Sequence, residues 1–315
     1  MATLASGIPI LQVAANPYVT AFGDPATASS PLTLAQAFNS LGTTVAPALG
    51  GMLILSGAVR TASEFDLLPA AEQVGYRARE AATVQGPYLV LAASLLCLAL
   101  FIAFARLPRI GTRQDTSATP GGMRSLLQHR HLVPGAIGIF VYVGGEVSIG
   151  SFLINFLEQG DVAGMSAAEA APYVSYYWGG AMVGRFIGFA VMRYVSPGKA
   201  LAFNAACSIA LIFVAVFGEG RLAMWAILAV GLCNSIMFPT IFSMALHKLG
   251  PATGQDSGLL CMAIVGGAIL PFVQGMVADM AGLHLSFLVP AACYLHMLFF
   301  GMKFAGLYRE EPAKG

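Results

Sequence analysis

Apolar stretches alternate with short polar breaks along most of the chain, and each is close to the roughly 20 residues a helix needs to cross a bilayer core. On that rule the sequence predicts about nine transmembrane helices: 2 to 22, 33 to 57, 85 to 105, 133 to 157, 171 to 194, 199 to 218, 222 to 247, 257 to 280 and 284 to 307. Two connections are long and polar. The first, 58 to 84, holds Arg60, Glu64, Asp66, Glu72, Arg77, Arg79 and Glu80. The second, 106 to 132, contains RLPRIGTRQDTSATPGGMRSLLQHRH, whose Pro, Gly and Ser content suits a linker between two helical bundles. The expected organisation is therefore a remainder of an N-terminal bundle (1–105, three spans), a linker (106–132) and a six-helix C-terminal bundle (133–315).

The pattern also repeats. Pro17 precedes Pro47 by 30 residues and Pro239 precedes Pro271 by 32; in each unit a span ends in a Gly/Pro/Ser turn, and the next carries a proline. Read as equivalent helix pairs of two parallel halves, the second copy has three spans ahead of it (133 to 218) and the first has none. The expectation is a six-plus-six arrangement of which the first three helices are lacking. Chance similarity between two Gly/Pro-rich helix pairs is the alternative.

Composition agrees with the spans: 57% of residues are hydrophobic, 10% are charged and mean hydropathy is +0.75, whereas soluble domains are about a quarter charged. A net charge of +1 offers no basic field for nucleic acid. The distribution of charge is more informative. With the 106–132 linker placed in the cytoplasm, Arg106, Arg109, Arg113, Arg124, Arg130, Arg185, Arg193, Lys199, Lys248, Lys303, Arg309 and Lys314 fall inside. Only Arg60, Arg77, Arg79 and Arg221 fall outside. The positive-inside rule favours that orientation, which also places the C-terminus in the cytoplasm and Met1 outside. A secretory signal explains the first span poorly, because no basic residue precedes it and it carries Gln12, Asn16 and Pro17.

Soluble-type catalysis finds no support. Cys97, Cys207, Cys233, Cys261 and Cys293 sit in apolar runs without metal-ligand spacing, and the five histidines form no HExxH. No metal, cofactor or enzymatic chemistry is expected. Of 15 acidic residues only Glu146 lies deep within a span. An intramembrane carboxyl is costly unless it faces a polar cavity, so Glu146 is the candidate proton-coupling group, with a permanently protonated structural residue as the alternative. Tyr142 stands one helical turn before it on the same face, where it could hydrogen-bond the carboxyl group or a substrate hydroxyl, and is a binding candidate. Gln12 and Asn16, and Gln36 and Asn39, place paired amides on one side of their helices, and amides both donate and accept, as a polyhydroxylated substrate would require. For Gln12 and Asn39 substrate contact and helix-to-helix bonding are equally open; Asn16 leans structural beside Pro17. Asn234 is a weaker binding candidate and Gln274 weaker still. Trp178 could present its indole face to a substrate ring, although an interfacial anchor is the commoner use. Arg185 and Arg193, in GRFIGFAVMR, read as a plain positive-inside flank, or, as the family resemblance given next implies, as gating residues.

The stretches ILQVAANPYVTAFGDP, LTLAQAFNSLGTTVAPALGG, QGPY, FVYVGGEVSIGSFLINF, MVGRFIGFAVM, MFPTIFSMALHKLG and VGGAILPFVQGMVADMAG together resemble the fucose and glucose/galactose proton symporter family of the major facilitator superfamily, from Leu4 to about Tyr308. In that family the first of these motifs belongs to the fourth helix. The resemblance implies an all-α, polytopic fold, sugar transport and a bacterial inner-membrane location. It matches Asn39 to a cavity asparagine. Fucose transporters carry glutamate where this chain has Gln12 and glutamine where it has Glu146, so the exchange looks like the glucose/galactose branch.

The function expected from these readings is secondary transport of a hexose, of glucose/galactose or fucose type, coupled to H⁺ or Na⁺ by alternating access within a lipid bilayer. A transport-incompetent fragment of such a protein and a non-sugar exporter are the alternatives.

Overall fold

Long runs of apolar helix formers, punctuated by Ser, Pro and Gly, give a chain of helices. The computed structural model describes residues 2–20, 29–54, 69–105, 130–247 and 253–306, and every described element is helical. The helices are α1 (Ala2–Thr20), α2 (Ser29–Ile54), α3 (Ala70–Phe104), α4 (Leu132–Glu158), α5 (Ala167–Val191) and α6 (Pro197–Phe217). They continue as α7 (Gly220–Asn234), α8 (Met237–Ala245), α9 (Thr253–Met262), α10 (Gly266–Ala281), α11 (Leu283–Ser286) and α12 (Leu288–Lys303), with a 3₁₀ turn (Ala263–Val265) between α9 and α10.

Helix occurs at each of the predicted spans. Among the described residues, six stretches are long and apolar enough to cross a membrane: Gln85–Phe104, Leu132–Glu158, Pro197–Phe217, Gly220–Ala245, Ser257–Ala281 and Leu283–Lys303. The predicted span at 171–194 is the helix α5, but Ser175, Tyr176, Tyr177, Arg185 and its glycines make it less apolar than those six. One boundary differs by more than a few residues. The sequence reads as a polar connection to residue 84, yet α3 starts at Ala70, because Glu72, Gln73, Arg77, Arg79 and Glu80 are good helix formers despite their charge. The expected linker lies outside the described residues as far as 129.

Local chemistry sets several helix starts. Ser166 and Glu169 form a reciprocal capping box at α5, with the Ser166 amide donating to the Glu169 carboxylate at 2.9 Å. Pro197 occupies the first turn of α6, where its missing N–H costs nothing.

The chain divides into two compact units, one of Met1–Leu41 with Gly111–Gly315, the other of Gly42–Ile110. In the first unit α6 packs on α12 and α7, α4 on α10, α12 and α8, and α5 on α7. Tyr142, Ile149, Leu153 and Phe156 of α4, Leu201 and Ile212 of α6, and Tyr294 and Phe300 of α12 are fully buried between them. Large apolar side chains such as Phe203, Phe213 and Phe217 face outward, as they do where lipid is the solvent. Association of such helices relies on close packing and interhelical hydrogen bonds, since lipid tails are as apolar as leucine.

α1 and the start of α2 belong to this same unit. α1 packs on α9, where the Ser257 hydroxyl donates to the Val13 carbonyl at 3.4 Å. At the first turn of α2, the Ser29 and Ser243 hydroxyls share a hydrogen bond of 2.6 Å, and Ser30 donates to the Phe189 carbonyl at 3.0 Å.

Candidate functional site

The stretch NSIMFP interrupts one span: α7 ends at Asn234 and α8 resumes at Met237. Pro239 accounts for the break, because it lacks an N–H and its ring crowds the carbonyl four residues earlier, that of Ser235. At membrane depth that freed carbonyl needs another donor. Arg185 of α5 supplies it, with Nε donating to the Ser235 carbonyl at 3.1 Å. Tyr142 of α4 also reaches the break, its hydroxyl donating to the Asn234 carbonyl at 2.9 Å. The Ile236 carbonyl resumes the helical ladder by accepting from the Thr240 amide at 3.1 Å.

The Asn234 side chain ties the break to α5 a second time and to one more helix, α12. Its Nδ2 donates to the Tyr177 hydroxyl at 2.8 Å, and its Oδ1 accepts from the Tyr294 hydroxyl at 2.6 Å. Tyr177 in turn donates to the Glu146 backbone carbonyl at 3.1 Å. Tyr142, Tyr177, Tyr294 and Asn234 are all 0% exposed, so this is a closed polar network linking four helices. Close backbone approach makes it possible: a Cβ on Gly184 would lie 2.6 Å from the Leu232 carbonyl oxygen. That contact seats α5 against the broken joint and delivers the following residue, Arg185, to it.

Glu146 completes the cluster. It is 9% exposed, and its Oε1 has no hydrogen-bond partner among the described residues. Arg185 is near enough to bear on its carboxyl electrostatically without forming an ion pair, and Tyr142, one helical turn away, spends its hydroxyl proton on the Asn234 carbonyl. One cation therefore serves both a titratable carboxyl and a carbonyl of the broken helix. Among the described residues no group of His, Cys, Asp and Glu could hold a metal ion.

This arrangement sits in a chain with clear relatives. It is 56% identical over 300 residues to the glucose/galactose transporter of Brucella abortus biovar 1 (strain 9-941), spanning 95% of this chain and 69% of that protein. It is 46% identical over 313 residues to the putative glucose/galactose transporter of Helicobacter pylori (strain J99), spanning 98% and 73%. The L-fucose-proton symporter of Escherichia coli K12 is 31% identical over 303 residues, spanning 94% and 69%. The chain belongs to the glucose/galactose and fucose transporter family of the major facilitator superfamily. The fold agrees: the crystal structure of the major facilitator superfamily transporter FucP in the outward conformation superposes with a TM-score of 0.87 at 31% identity, over 94% of this chain and 72% of that one. No family model matches the chain. Members of this family are membrane transporters and not enzymes.

Within this family fold, the structure gathers Tyr142, Glu146, Arg185 and Asn234 into one cluster, while Gln12, Gln36 and Asn39 make no hydrogen bond to it among the described residues. Gln12 and Gln36 are half-buried, Asn39 is exposed, and Asn16 is 6% exposed with its Nδ2 unpartnered among the described residues. Trp178 is half-buried, packed edge-on to the Tyr177 ring at 5.2 Å and over Gly150. Arg193 is exposed, its guanidinium 4.4 Å from the centre of the Phe189 ring. Gln274 is buried and donates to the Ser286 hydroxyl at 3.3 Å. Sequence reasoning missed Tyr177, Tyr294 and the Ser235 carbonyl. The signal for the last was present, since Pro239 stands four residues after Ser235 within an apolar span.

Proposed function

We propose that the chain carries a hexose of the glucose/galactose class across the bacterial inner membrane together with a cation, H⁺ in preference to Na⁺, by alternating access. The relatives named above support the substrate class. The observation that carries the coupling is Glu146, a buried carboxyl on which Arg185 acts while Arg185 also holds the Ser235 carbonyl of the broken α7–α8 span. When ionised, Glu146 attracts Arg185; when protonated, it releases that claim, so proton binding biases the joint. Coupling requires sugar and cation to bias the same two-state equilibrium. Tyr142 and Asn234 shape the joint beside the carboxyl. Gln12, Gln36, Asn39 and Trp178 contribute amide and aromatic contacts to the sugar, and Arg193 serves the cytoplasmic gate together with Arg185. The bundles at 1–105 and 133–315 rock about the site, joined by the 106–132 linker, which with the C-terminus faces the cytoplasm.

The test is sugar-driven alkalinisation and sugar accumulation in proteoliposomes. Glu146→Gln is expected to abolish accumulation while retaining sugar counterflow. Undiminished sugar-coupled proton uptake by Glu146→Gln overturns the assignment, and accumulation that follows an imposed Na⁺ gradient alone replaces H⁺ with Na⁺.

A further inference from the structure

α5 and α6 each pack on α7 but hardly on each other, and a cavity of about 470 Å³ remains between them. Its walls are Ile187 and Val191 of α5 and Ala200 and Phe203 of α6; Ser235 and Ile236, the residues of the broken joint, form part of its floor. Ile187 is 53% and Phe203 69% exposed, so the cavity opens sideways from the bundle, toward lipid. The lining holds a single charged residue, Lys199, and no carboxylate. Lys199 forms no ion pair among the described residues, where the ion pair present is His284 with Asp161. It lies in the first turn of α6, whose capping residue Ser196 makes no side-chain hydrogen bond to the helix and has its hydroxyl oxygen buried and unpartnered among the described residues. A long apolar slot ending at an unpaired ammonium and a positive helix start has the chemistry of one acyl chain with an anionic headgroup.

We propose that this groove binds one anionic glycerophospholipid, with an acyl chain along Val191 and Phe203 and the phosphate at Lys199. A choline headgroup brings a cation that nothing in the lining would neutralise, which is why the occupant is anionic. The lipid belongs to the cytoplasmic leaflet, a point that rests on the orientation proposed above; that leaflet is also the anionic one. With the chain seated over Ser235 and Ile236, the lipid touches the α7–α8 joint directly.

Native mass spectrometry of the detergent-purified protein, titrated with phosphatidylglycerol or phosphatidylcholine, tests this without reference to transport. The wild type is expected to retain one phosphatidylglycerol per chain with about fivefold preference over phosphatidylcholine, the size of effect one surface lysine exerts on an anionic lipid. Lys199→Gln is expected to remove the preference, and Val191→Trp, which fills the slot, to reduce retention of both lipids. Arg221→Gln, a cation at another helix start, serves as the control and keeps the wild-type ratio. Thermal unfolding verifies that each variant is folded. Equal retention of the two lipids by the wild type overturns the proposal, as does wild-type phosphatidylglycerol retention by both folded Lys199→Gln and Val191→Trp. Failure of the Glu146 assignment leaves this measurement unaffected.

Discussion

Arg185 Nε donates at 3.1 Å to the carbonyl of Ser235, the carbonyl that Pro239 deprives of its helical partner. A charged donor on a buried acceptor is worth about 1.5–3 kcal/mol, so Arg185→Met is expected to lower stability by that amount in denaturant unfolding of the purified protein. Pro239→Ala restores an N–H at the position that faces Ser235. In that background Arg185→Met should cost less, by roughly 1 kcal/mol or more. Strictly additive losses would mean that Arg185 does not compensate for the proline.

The Tyr294 hydroxyl sits 2.6 Å from Asn234 Oδ1 in a fully buried setting. Tyr294→Phe removes the donor without disturbing the ring, leaving the amide oxygen unpaired at a cost of about 1–3 kcal/mol. Tyr176→Phe makes the same chemical change on a residue that is 59% exposed, and is expected to alter thermal stability hardly at all. Equal shifts for the two variants would show that the network does not hold the joint.

The spans were legible because a lipid solvent imposes a window of apolar residues. Glu146 was legible because a lone acid in such a window is conspicuous. Helix α3 was misread at its start, since Glu72, Arg77 and Glu80 look like loop residues by polarity while favouring helix by propensity. Tyr142 and Asn234 stand out in the sequence as polar residues in apolar spans, but the network that joins them does not. Tyr142, Tyr177 and Tyr294 stand 92, 57 and 60 residues from Asn234, and intramembrane tyrosines look like interfacial anchors until the helices are brought together.

Two glycines of similar appearance should respond oppositely. A Cβ at Gly231 would collide with the Tyr177 carbonyl, where α7 crosses α5, whereas one at Gly179 meets nothing within 4 Å. Gly231→Ala must therefore separate two backbones and is expected to destabilise by about 1–3 kcal/mol or more. Gly179→Ala gains helix propensity, up to about 1 kcal/mol, and should be neutral to stabilising. Heat denaturation of the two single variants in the same detergent distinguishes them, and a destabilised Gly179→Ala would contradict the packing described.

The hydrogen bond between Ser29 and Ser243 joins the start of α2 to α8, and the neighbouring bond from Ser30 reaches the end of α5. All of these residues lie at helix ends that the orientation proposed above places in the cytoplasm. The proposed alternating access requires this contact to separate each time the site opens inward. The hydroxyl oxygens are 2.6 Å apart, close enough that cysteines at both positions should form a disulfide. Ser29→Cys with Ser243→Cys is accordingly expected to arrest sugar counterflow on oxidation and to recover it on reduction, while each single cysteine variant continues to exchange. Sugar binding from the outer side, followed by tryptophan fluorescence, should persist in the cross-linked protein, because the lock closes only the cytoplasmic face. Counterflow at the wild-type rate with the disulfide fully formed would show that these helix ends do not part during transport.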